Sequence, residues 1–356
     1  MKIDSLELLD FRNYPSIKIP INDSHVLIRG DNAQGKTNLI EAIYIGALGK
    51  SFRTSITRET IRFGQEQAFV SIHFTRNRVR HKIRYRIASQ GNSFSVNDTP
   101  VTKRSELVGK LPVVLFTPDY LSLIKGEPQG RRAFIDSCLC QIDVEYLKHL
   151  QRYHHVVKQR NQALKDVRAN RSPFDCVEAW NSQLVETGLF ITQKRVDSLA
   201  IINQLLETFN KINRTHINLE YEPSMKKLNI NEIYQDLNDN RESEIFKGST
   251  SMGPHRDNIS FYDGEKLLKN YGSQGEQRTA ILLLMVAQVN FLYRFSGEYP
   301  VILWDDFASE LDVKHMTMML DLIPNTCQLI ATSVDVPSAG HKSFNNIMRI
   351  QNGKLV

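Results

Sequence analysis

The segment from Val26 to Thr37 constrains the fold of this chain more than any other. It begins with the apolar run Val26–Ile28, continues as a loop of the form G-x-x-x-x-G-K-T, and leads into the helix-like run Asn38–Ile45, which Gly49 closes. A strand that passes through such a loop into a helix is the setting in which proteins bind phosphate groups. The pattern therefore predicts an α/β fold with a phosphate-binding loop at the start of a helix.

The residue types of this loop fit phosphate chemistry. Gly30 and Gly35 give the backbone freedom to wrap successive N–H groups around a polyphosphate at a helix N-terminus. Lys36 would reach the β- and γ-phosphates, and the hydroxyl of Thr37 would bind Mg²⁺. The alternative is a glycine-rich turn without a ligand, which the flanking strand and helix disfavour.

Composition limits the class of protein. The chain has 356 residues, of which 41% are hydrophobic and 24% charged, as in a globular protein of one large or two moderate domains. A net charge of +6 permits an anionic partner without requiring one.

Nothing in the sequence predicts export or insertion into a membrane. The spacing of Cys138, Cys140, Cys176 and Cys327 fits neither a disulfide framework nor a paired zinc site, so we interpret them as reduced thiols of a cytoplasmic protein. The N-terminus has early acidic residues and no apolar core of signal-peptide length. The longest apolar run, 280–287, ends at a glutamine and is far shorter than a membrane span.

A basic stripe is predicted in the N-terminal β-rich section. Two strands between Ala68 and Ile87 flank a turn at 76–78, and in the second strand cations alternate with apolar residues. Period-two geometry places Lys82, Arg84 and Arg86 on one face. The stripe either follows the phosphates of DNA or is the solvated face of an ordinary half-buried sheet, and the sequence leaves both interpretations open.

The middle of the chain is helical in pattern. Apolar residues recur at helical spacing from about 131 to 164 and again from 177 to 209, on either side of a breaker at 170–173. Arms of this length predict a compact helical lobe with no room for a long coiled coil. We expect residues 1–117 and 248–356 to form the nucleotide-binding head and residues 118–247 the inserted helical lobe. The segment 220–241 has few clear signals.

A pair of carboxylates follows an apolar strand near the C-terminus. In Val301–Asp306, the first carboxylate, Asp305, suits Mg²⁺, and the second, Asp306, could orient or deprotonate an attacking water. Such runs are weak signals when alone. Here the run follows the phosphate loop in the expected order and precedes the segment Ser309–Asp312.

The segment Ser273–Arg278 leads directly into a helical run, 279–291. A serine, a glycine and polar residues at a helix start form a second anion-binding end. The same residues also fit a capping box, in which Ser273 pairs with Glu276. Both interpretations can hold together.

The order of these motifs is similar to that of ABC-type ATPases, in which the signature segment of one subunit covers the γ-phosphate bound by the other. Several more specific segments resemble the RecF family of bacterial recombination mediators, nearly from end to end. They are Phe11–Tyr14, Gly30–Ile43, Leu115–Asp119, Arg131–Asp136, Lys158–Asn161, Gly253–Asp257 and Ser273–Gln277.

The resemblance implies an ABC-type fold akin to SMC heads, with a β-rich lobe, a compact helical lobe and no long coiled coil. It implies a homodimer that forms with ATP and Mg²⁺ and a slow, DNA-dependent ATPase that acts as a switch. It also implies binding to single- and double-stranded DNA at gaps or stalled forks, and work with RecR and RecO to load RecA during replication, repair and SOS induction.

The resemblance also implies residue roles, carried over by position. Thr37 and Asp305 would hold Mg²⁺, Asp306 would be the catalytic acid, and Arg12 and Asn13 would lie near the nucleoside. The residues implied to bind ATP are Gly30, Asp31, Asn32, Ala33, Gln34, Gly35, Lys36 and Thr37. The signature residues that would act on the partner's ATP are Ser273, Gln274, Gly275, Glu276 and Gln277, and Asp312 would belong to the D-loop.

Two positions depart from the common ABC-type pattern. Most such ATPases have Glu where Asp306 stands, and the shorter side chain holds the carboxylate farther from the water, which fits a slow switch better than a motor. The position after strand 328–331, usually His, is Thr332 followed by Ser333, so either hydroxyl could sense the γ-phosphate.

Two other classes of protein share the phosphate loop. The ATPase subunit of a transporter is disfavoured by the basic stripe and the helical insert, and predicts co-purification with membranes. A metabolic P-loop kinase would not need the signature segment and would phosphorylate a small molecule.

Overall fold

The computed structural model describes residues 1–226, 229–307, 313–335 and 344–356. Contacts between Cα atoms divide the chain into two compact units, 1–121 with 274–356, and 122–273. The strands are β1 (Lys2–Phe11), β2 (Tyr14–Pro20), β3 (His25–Arg29), β4 (Gln67–Arg76), β5 (Val79–Ala88), β6 (Ser93–Val96), β7 (Thr99–Val101), β8 (Val113–Phe116), β9 (Ile217–Glu222), β10 (Asn258–Asp263), β11 (Lys266–Leu267), β12 (Val301–Trp304), β13 (Leu329–Ser333), β14 (Asn346–Gln351) and β15 (Lys354–Leu355).

The helices alternate with these strands in the first unit and dominate the second. Short 3₁₀ turns occur at Thr57–Thr60 and Pro118–Leu121. The α-helices are α1 (Lys36–Leu48), α2 (Arg104–Leu107), α3 (Ser122–Lys125), α4 (Pro128–Ile142), α5 (Val144–Arg168), α6 (Asp175–Glu178), α7 (Asn181–Asn213), α8 (Ile230–Asp239), α9 (Arg241–Lys247), α10 (Leu268–Tyr271), α11 (Gln274–Ser296) and α12 (Val313–Leu322).

The first unit contains two sheets with α1 between them. One sheet is antiparallel, in the order β2-β1-β4-β5-β6-β7, and the other has the order β15-β14-β3-β13-β12-β8, in which the pairs from β14 to β8 are parallel. Helix α1 is buried almost all round and contacts strands of both sheets. A Cβ at Gly46 would meet Ile72 Cδ1 at 2.4 Å, so a larger residue would displace this side chain of β4.

The apolar helix α11 also belongs to the core of the first unit. By length and composition alone it could cross a membrane, but 67% of its most apolar window is buried within the protein. It contacts β8 and α12. Burial on all sides explains why the helix is hydrophobic all round, as the core helix of a globular protein is.

The second unit is built on two long helices. Helices α5 and α7 pack against each other and against α4, while β9, β10 and β11 form a small antiparallel sheet. The 33 residues of α7 extend about 50 Å, and neither helix continues into a long coiled coil. The predicted compact helical lobe is therefore present.

The boundary of this lobe differs from the sequence expectation. Residues 248–273, assigned to the head by sequence, group with the second unit. The reason is a long-range strand pair, because β10 pairs with β9 along its length, from Asn258 opposite Glu222 to Asp263 opposite Ile217. The segment 220–241, which has few clear signals in the sequence, contains the end of β9 and α8.

Candidate nucleotide-binding site

The phosphate loop lies where the strands of the parallel sheet end. Strand β3 leads into the loop and α1, while its neighbour β13 ends at Ser333 and β12, the next strand, ends just before the two carboxylates. The carboxyl edge of such a sheet is the usual position of a ligand site. A cavity of about 360 Å³ opens there, lined by Asn32, Ala33, Gly35, Lys36, Thr37, Asn38, Arg53, Pro118, Asp305, Asp306 and Thr332.

Two residues of the N-terminal hairpin support the loop. Gly35 has a φ of 102°, and a Cβ there would lie 2.6 Å from the amide group of Asn13. The Asn13 amide donates to Gln34 O (3.1 Å), and the Tyr14 hydroxyl donates to Gly35 O (3.0 Å). Asn13 therefore lies against the loop, and Tyr14, for which the sequence predicted no role, holds the same turn from the core.

The remaining loop residues have structural contacts of their own. A Cβ at Gly30 would lie 2.4 Å from the carbonyl oxygen of Ile350, so only glycine allows β14 to pass this close. The side chain of Gln34 accepts a hydrogen bond from Asn352 N at 2.5 Å. Gly30 and Gln34 thus shape the loop without lining the cavity wall.

Lys36 is nearly buried at the base of the cavity. Its Nζ donates to Gly30 O (2.6 Å) and to the main-chain oxygen of Asp31 (2.8 Å). Burial lowers the pKa of the ammonium, while the charges of Asp306, Asp305 and Asp31 oppose that shift. A cation held this way by backbone oxygens is pre-positioned for phosphate, which would supply the negative charge that the carbonyls lack.

Asp305 connects the phosphate loop with strand β13, which are far apart in the sequence. Its Oδ1 accepts hydrogen bonds from the hydroxyls of Thr37 (3.0 Å) and Thr332 (2.7 Å). Burial is the main cause that raises the pKa of Asp305, and the two hydroxyls act in the opposite direction. A carboxylate and a hydroxyl oxygen this close are the ligand types that Mg²⁺ prefers, so the donor set fits the metal predicted from sequence.

Asp306 occupies a strained part of the backbone. Its φ of 53° is uncommon for a residue other than glycine. Its N–H donates to Thr332 Oγ1 at 2.8 Å, and the next N–H, of Phe307, donates to Thr332 O at 2.7 Å. Thr332 therefore holds this turn and places the Asp306 side chain at the cavity wall.

The same contacts distinguish the two hydroxyls that the sequence left open. Thr332 lines the cavity and touches both carboxylate residues. Ser333 is fully buried, and its carbonyl oxygen accepts from Gly30 N at 3.3 Å. Geometry thus favours Thr332 as the residue that faces a γ-phosphate.

Arg12 makes different contacts from those expected. Its guanidinium binds the buried carboxylate of Glu41 through Nε (2.9 Å) and Nη2 (2.7 Å). Arg53 also reaches Glu41 (3.4 Å) and donates to Asn38 Oδ1 at 2.8 Å. The cavity is lined by Arg53, not by Arg12, so a contact of Arg12 with the nucleoside stays a prediction.

The signature segment lies at a unit boundary. Ser273 is the last residue of the second unit, and α11 begins at Gln274 in the first. Residues 273–275 are exposed, Glu276 is half-buried and Gln277 is buried. Within the described ranges, a Cβ at Gly275 would meet nothing within 4 Å, so packing inside the subunit does not require this glycine. Asp312 and the preceding residues 308–311 lie outside the described residues.

The alternation predicted for the basic stripe is present in β5. Ile83, Tyr85 and Ile87 are buried, while Arg84 and Arg86 are exposed. Lys82 Nζ forms an ion pair with Asp98 (3.0 Å), and Arg86 Nε donates to the amide oxygen of Gln67 (2.8 Å). In the described parts of the chain, no carboxylate pairs with either arginine.

The most distinctive sequence segments of the second unit form buried polar contacts. Arg160 and Glu244, both inaccessible to solvent, form an ion pair of 2.7 Å. Asn161 Oδ1 accepts from Thr250 N (2.7 Å) and Oγ1 (2.8 Å). Local sequence spacing does not indicate these partners, because they lie about ninety residues apart.

A second buried cluster fixes the segment 253–257. Arg195 donates to both carboxylate oxygens of Asp136 (2.9 and 3.0 Å) and to Pro254 O (2.8 Å). Asp257 accepts from Ser224 N and Oγ and from the Tyr221 hydroxyl. These residues hold the lobe together, and none of them lines the cavity.

Comparison with known proteins shows which family this chain is similar to. The family described as RecF/RecN/SMC N terminal domain matches residues 2–353. The "DNA replication and repair protein RecF" of Staphylococcus carnosus is 36% identical over 370 residues, covering 100% of both chains. The protein of the same name from Ligilactobacillus salivarius is 35% identical over 100% of this chain and 97% of its own.

Solved structures give the same relationship. The recombination mediator protein RecF with ATPγS, described as part of the RecFOR pathway, is 27% identical, covers 99% of this chain and 97% of its own, and has a TM-score of 0.91. The corresponding RecF–ATP structure has a TM-score of 0.90 at 27% identity, with 99% and 96% coverage. An Smc head bound to a domain of ScpA shares the fold, with a TM-score of 0.57 at 19% identity and 100% and 97% coverage.

Proposed function

This chain belongs to the RecF family, within the RecF/RecN/SMC N-terminal domain family, and from that premise we propose that it is an ATP-dependent, DNA-binding recombination mediator. One observation supports the ATP-dependent part above all others. Thr37 of the phosphate loop and Thr332 of β13 both donate to Asp305, in the cavity that Lys36 also lines.

Each residue of this cavity has a separate task in the proposed mechanism. The backbone N–H groups of the loop and Lys36 bind the phosphates. Thr37 and Asp305 hold Mg²⁺, which neutralises charge on the phosphate oxygens when it is bound. Asp306 accepts a hydrogen bond from the attacking water and orients it, while Thr332 holds the carboxylate of Asp305 and the backbone of Asp306.

Hydrolysis in this proposal requires two subunits. Ser273, Gly275 and Gln277 would face the γ-phosphate held by the partner, and Gln274 and Glu276 would complete that helix start. Two features support this arrangement: residues 273–275 are exposed, and Gly275 has space around it that its own described residues do not fill. ATP would therefore join two copies into a homodimer.

DNA is the proposed partner of the dimer. Arg84 and Arg86 are exposed cations without carboxylate partners in the described ranges, and they share one face of the antiparallel sheet. Lys82 is a weaker candidate, because Asp98 already neutralises it. Phosphate contacts of this kind bind single- and double-stranded DNA without reading sequence.

The finer biological role rests on the family. We infer that the protein acts in the cytoplasm at gaps or stalled forks, works with RecR and RecO to promote RecA loading, and hydrolyses ATP slowly as a switch. Because the dimer would form with ATP and dissociate after hydrolysis, turnover would limit how long it stays on DNA.

Gel filtration with light scattering tests this proposal against the alternatives. We expect a monomer without nucleotide, a dimer with Mg²⁺ and ATP, and co-elution of the dimer with gapped DNA. Lys36→Met is the matched control, because it removes the phosphate cation and should leave a monomer under every condition. A transporter subunit would instead follow membranes, and a kinase would stay monomeric and phosphorylate a small acceptor. Either result would contradict the proposal.

A further inference from the structure

Phe63 is a phenylalanine whose side chain is fully exposed to solvent. It precedes Gly64, whose φ of 82° turns the chain toward β4. Leu9, in strand β1 of the same unit, is another exposed apolar residue. Single exposed apolar residues are common, but two of them on a surface that also carries exposed cations are typical of an interaction site.

Main-chain contacts fix the position of Phe63 relative to β1. Arg12 N donates to Thr60 O (2.7 Å), Phe11 bridges to Ile61 in antiparallel fashion, and Arg62 N donates to Asp10 O (2.8 Å). The two segments therefore run side by side in opposite directions. Phe63 and Leu9, the next residue on each segment, lie at the same end of this pairing.

Leu9 lies on the same face of the sheet as Arg84 and Arg86. In the registers of the sheet, Leu9 lies opposite Phe69, Phe69 lies opposite Arg86, and Arg86 lies opposite Ser93. Directly opposed residues share one face, and Arg84 is on that face two residues along β5. With strands about 4.8 Å apart, Leu9 lies about 10 Å from the start of the arginine pair.

The charges around Phe63 are mixed, but the cations exceed the acids. Arg62 pairs with Asp10 at 3.4 Å, and Glu66 is exposed on the same turn. Glu7, on the same face, is paired with Lys18 at 2.7 Å, whereas Arg84 and Arg86 have no carboxylate partner within the described ranges. The unpaired arginines therefore outnumber the exposed Glu66. An apolar partner protein would gain from Phe63 and Leu9 but not from the arginines. A single strand of nucleic acid would gain from both, through its bases and its phosphates.

We propose that Phe63 stacks on an unpaired base of single-stranded DNA whose phosphates contact Arg84 and Arg86. The inference rests on the proposed DNA-binding function and specifies the form of DNA that this face binds. Bases inside a duplex do not expose their faces, so Phe63 contributes to single-stranded segments and to the single-stranded side of a gap. The arginines contribute to both forms.

Fluorescence anisotropy with labelled oligothymidine and with a duplex of equal length, both with Mg²⁺ and ATP, tests this inference. Phe63→Ala should lower the affinity for the single strand by about 10- to 100-fold, as loss of one stacked base does, and change duplex affinity by less than about 2-fold. Phe63→Tyr keeps the ring and should bind as the wild type does. Phe246→Ala is the matched control, because it removes another largely exposed phenylalanine from the second unit.

The outcomes separate this inference from the proposed function. If Phe63→Ala binds the single strand normally while Arg84→Gln with Arg86→Gln loses both forms, the stacking role is wrong and the DNA face stands. If Phe63→Ala weakens both forms equally, or changes ATP-dependent dimerisation and not DNA binding, Phe63 contacts something other than a base and the inference fails. If the wild type binds neither form, both the inference and the DNA-binding proposal fail.

Discussion

At the residue scale, the two adjacent aspartates should have different roles. Asp305 accepts hydrogen bonds from Thr37 and Thr332. Asp306 has a left-handed backbone conformation and lies at the cavity wall. We predict that Asp306→Asn still binds ATP and dimerises but hydrolyses ATP about two orders of magnitude more slowly, since the charge that polarises the water is lost. Its dimer should persist longer on DNA.

Asp305→Asn is the comparison for that variant. It should weaken Mg²⁺-ATP binding and dimerisation together, because a metal ligand is lost. ATPase rate and dimer lifetime, measured for both variants, check the pair. A shorter dimer lifetime for Asp306→Asn, or a longer one for Asp305→Asn, would show that the roles are reversed.

The hydroxyl of Thr332 should be required for a normal rate of ATP hydrolysis. Thr332→Val keeps the shape of the side chain but leaves Asp305 Oδ1 with one hydrogen bond fewer and Asp306 N without its acceptor. Each such loss costs about 1–3 kcal/mol in a buried site. We therefore expect the rate of hydrolysis to fall about 10- to 100-fold, with a smaller change in ATP affinity.

Two controls accompany the valine variant. Thr332→Ser restores the hydroxyl and should recover most of the rate. Ser333→Ala changes the neighbouring hydroxyl, which does not line the cavity, and should hydrolyse ATP nearly as the wild type does. A larger loss in Ser333→Ala than in Thr332→Val would assign the sensing role to Ser333.

At the scale of elements, the start of α11 should act on the partner subunit. Ser273→Arg places a long cation at an exposed helix start, where the partner's nucleotide would have to approach. We predict unchanged ATP affinity for the monomer, measured with a fluorescent ATP analogue, and loss of both dimerisation and hydrolysis. Equal loss of monomer affinity would contradict a two-subunit site.

The exposed arginines of strand β5 should contribute to DNA binding. Arg84→Glu with Arg86→Glu should weaken DNA binding for every sequence and flatten its salt dependence. The log–log slope should change by about 0.9 for each duplex phosphate that the protein no longer neutralises. Lys82→Glu should have less effect, because Lys82 is already paired with Asp98. An unchanged slope in the double variant would indicate an ordinary solvated face.

At the scale of the whole molecule, stability of the second unit should depend on a buried ion pair. Arg160→Met leaves Glu244 as an uncompensated charge in a site that excludes solvent. We expect the unfolding free energy of this unit to fall by about 3–5 kcal/mol. Replacing both residues by Met should cost much less, since no charge is then left unpaired.

The two tryptophans allow that measurement. Trp180 lies in the second unit and Trp304 in the first, so chemical denaturation followed by fluorescence in a Trp304→Phe background reports the second unit. Every variant is compared in this same background. If Arg160→Met unfolds at the wild-type denaturant concentration, the ion pair is not essential for the lobe.

Local sequence patterns were enough to predict the phosphate loop, the carboxylate strand and the alternation in β5. These features depend on local spacing: a loop between a strand and a helix, an apolar run before two aspartates, and period-two geometry in a strand. The sequence also predicted the helical lobe and the family, because those signals are repeated over many residues.

Contacts between residues far apart in the sequence could be read only from the folded chain. The pairing of β9 with β10 makes 248–273 part of the second unit. Arg12 binds Glu41, and Thr332, not Ser333, donates a hydrogen bond to Asp305. The positions of Arg53 in the cavity and of the segment 60–62 beside the end of β1 depend on loops that have no periodic signal. The physical reason is the same in each case: long-range strand register and the burial of charged side chains depend on packing across the whole unit, which local spacing does not encode.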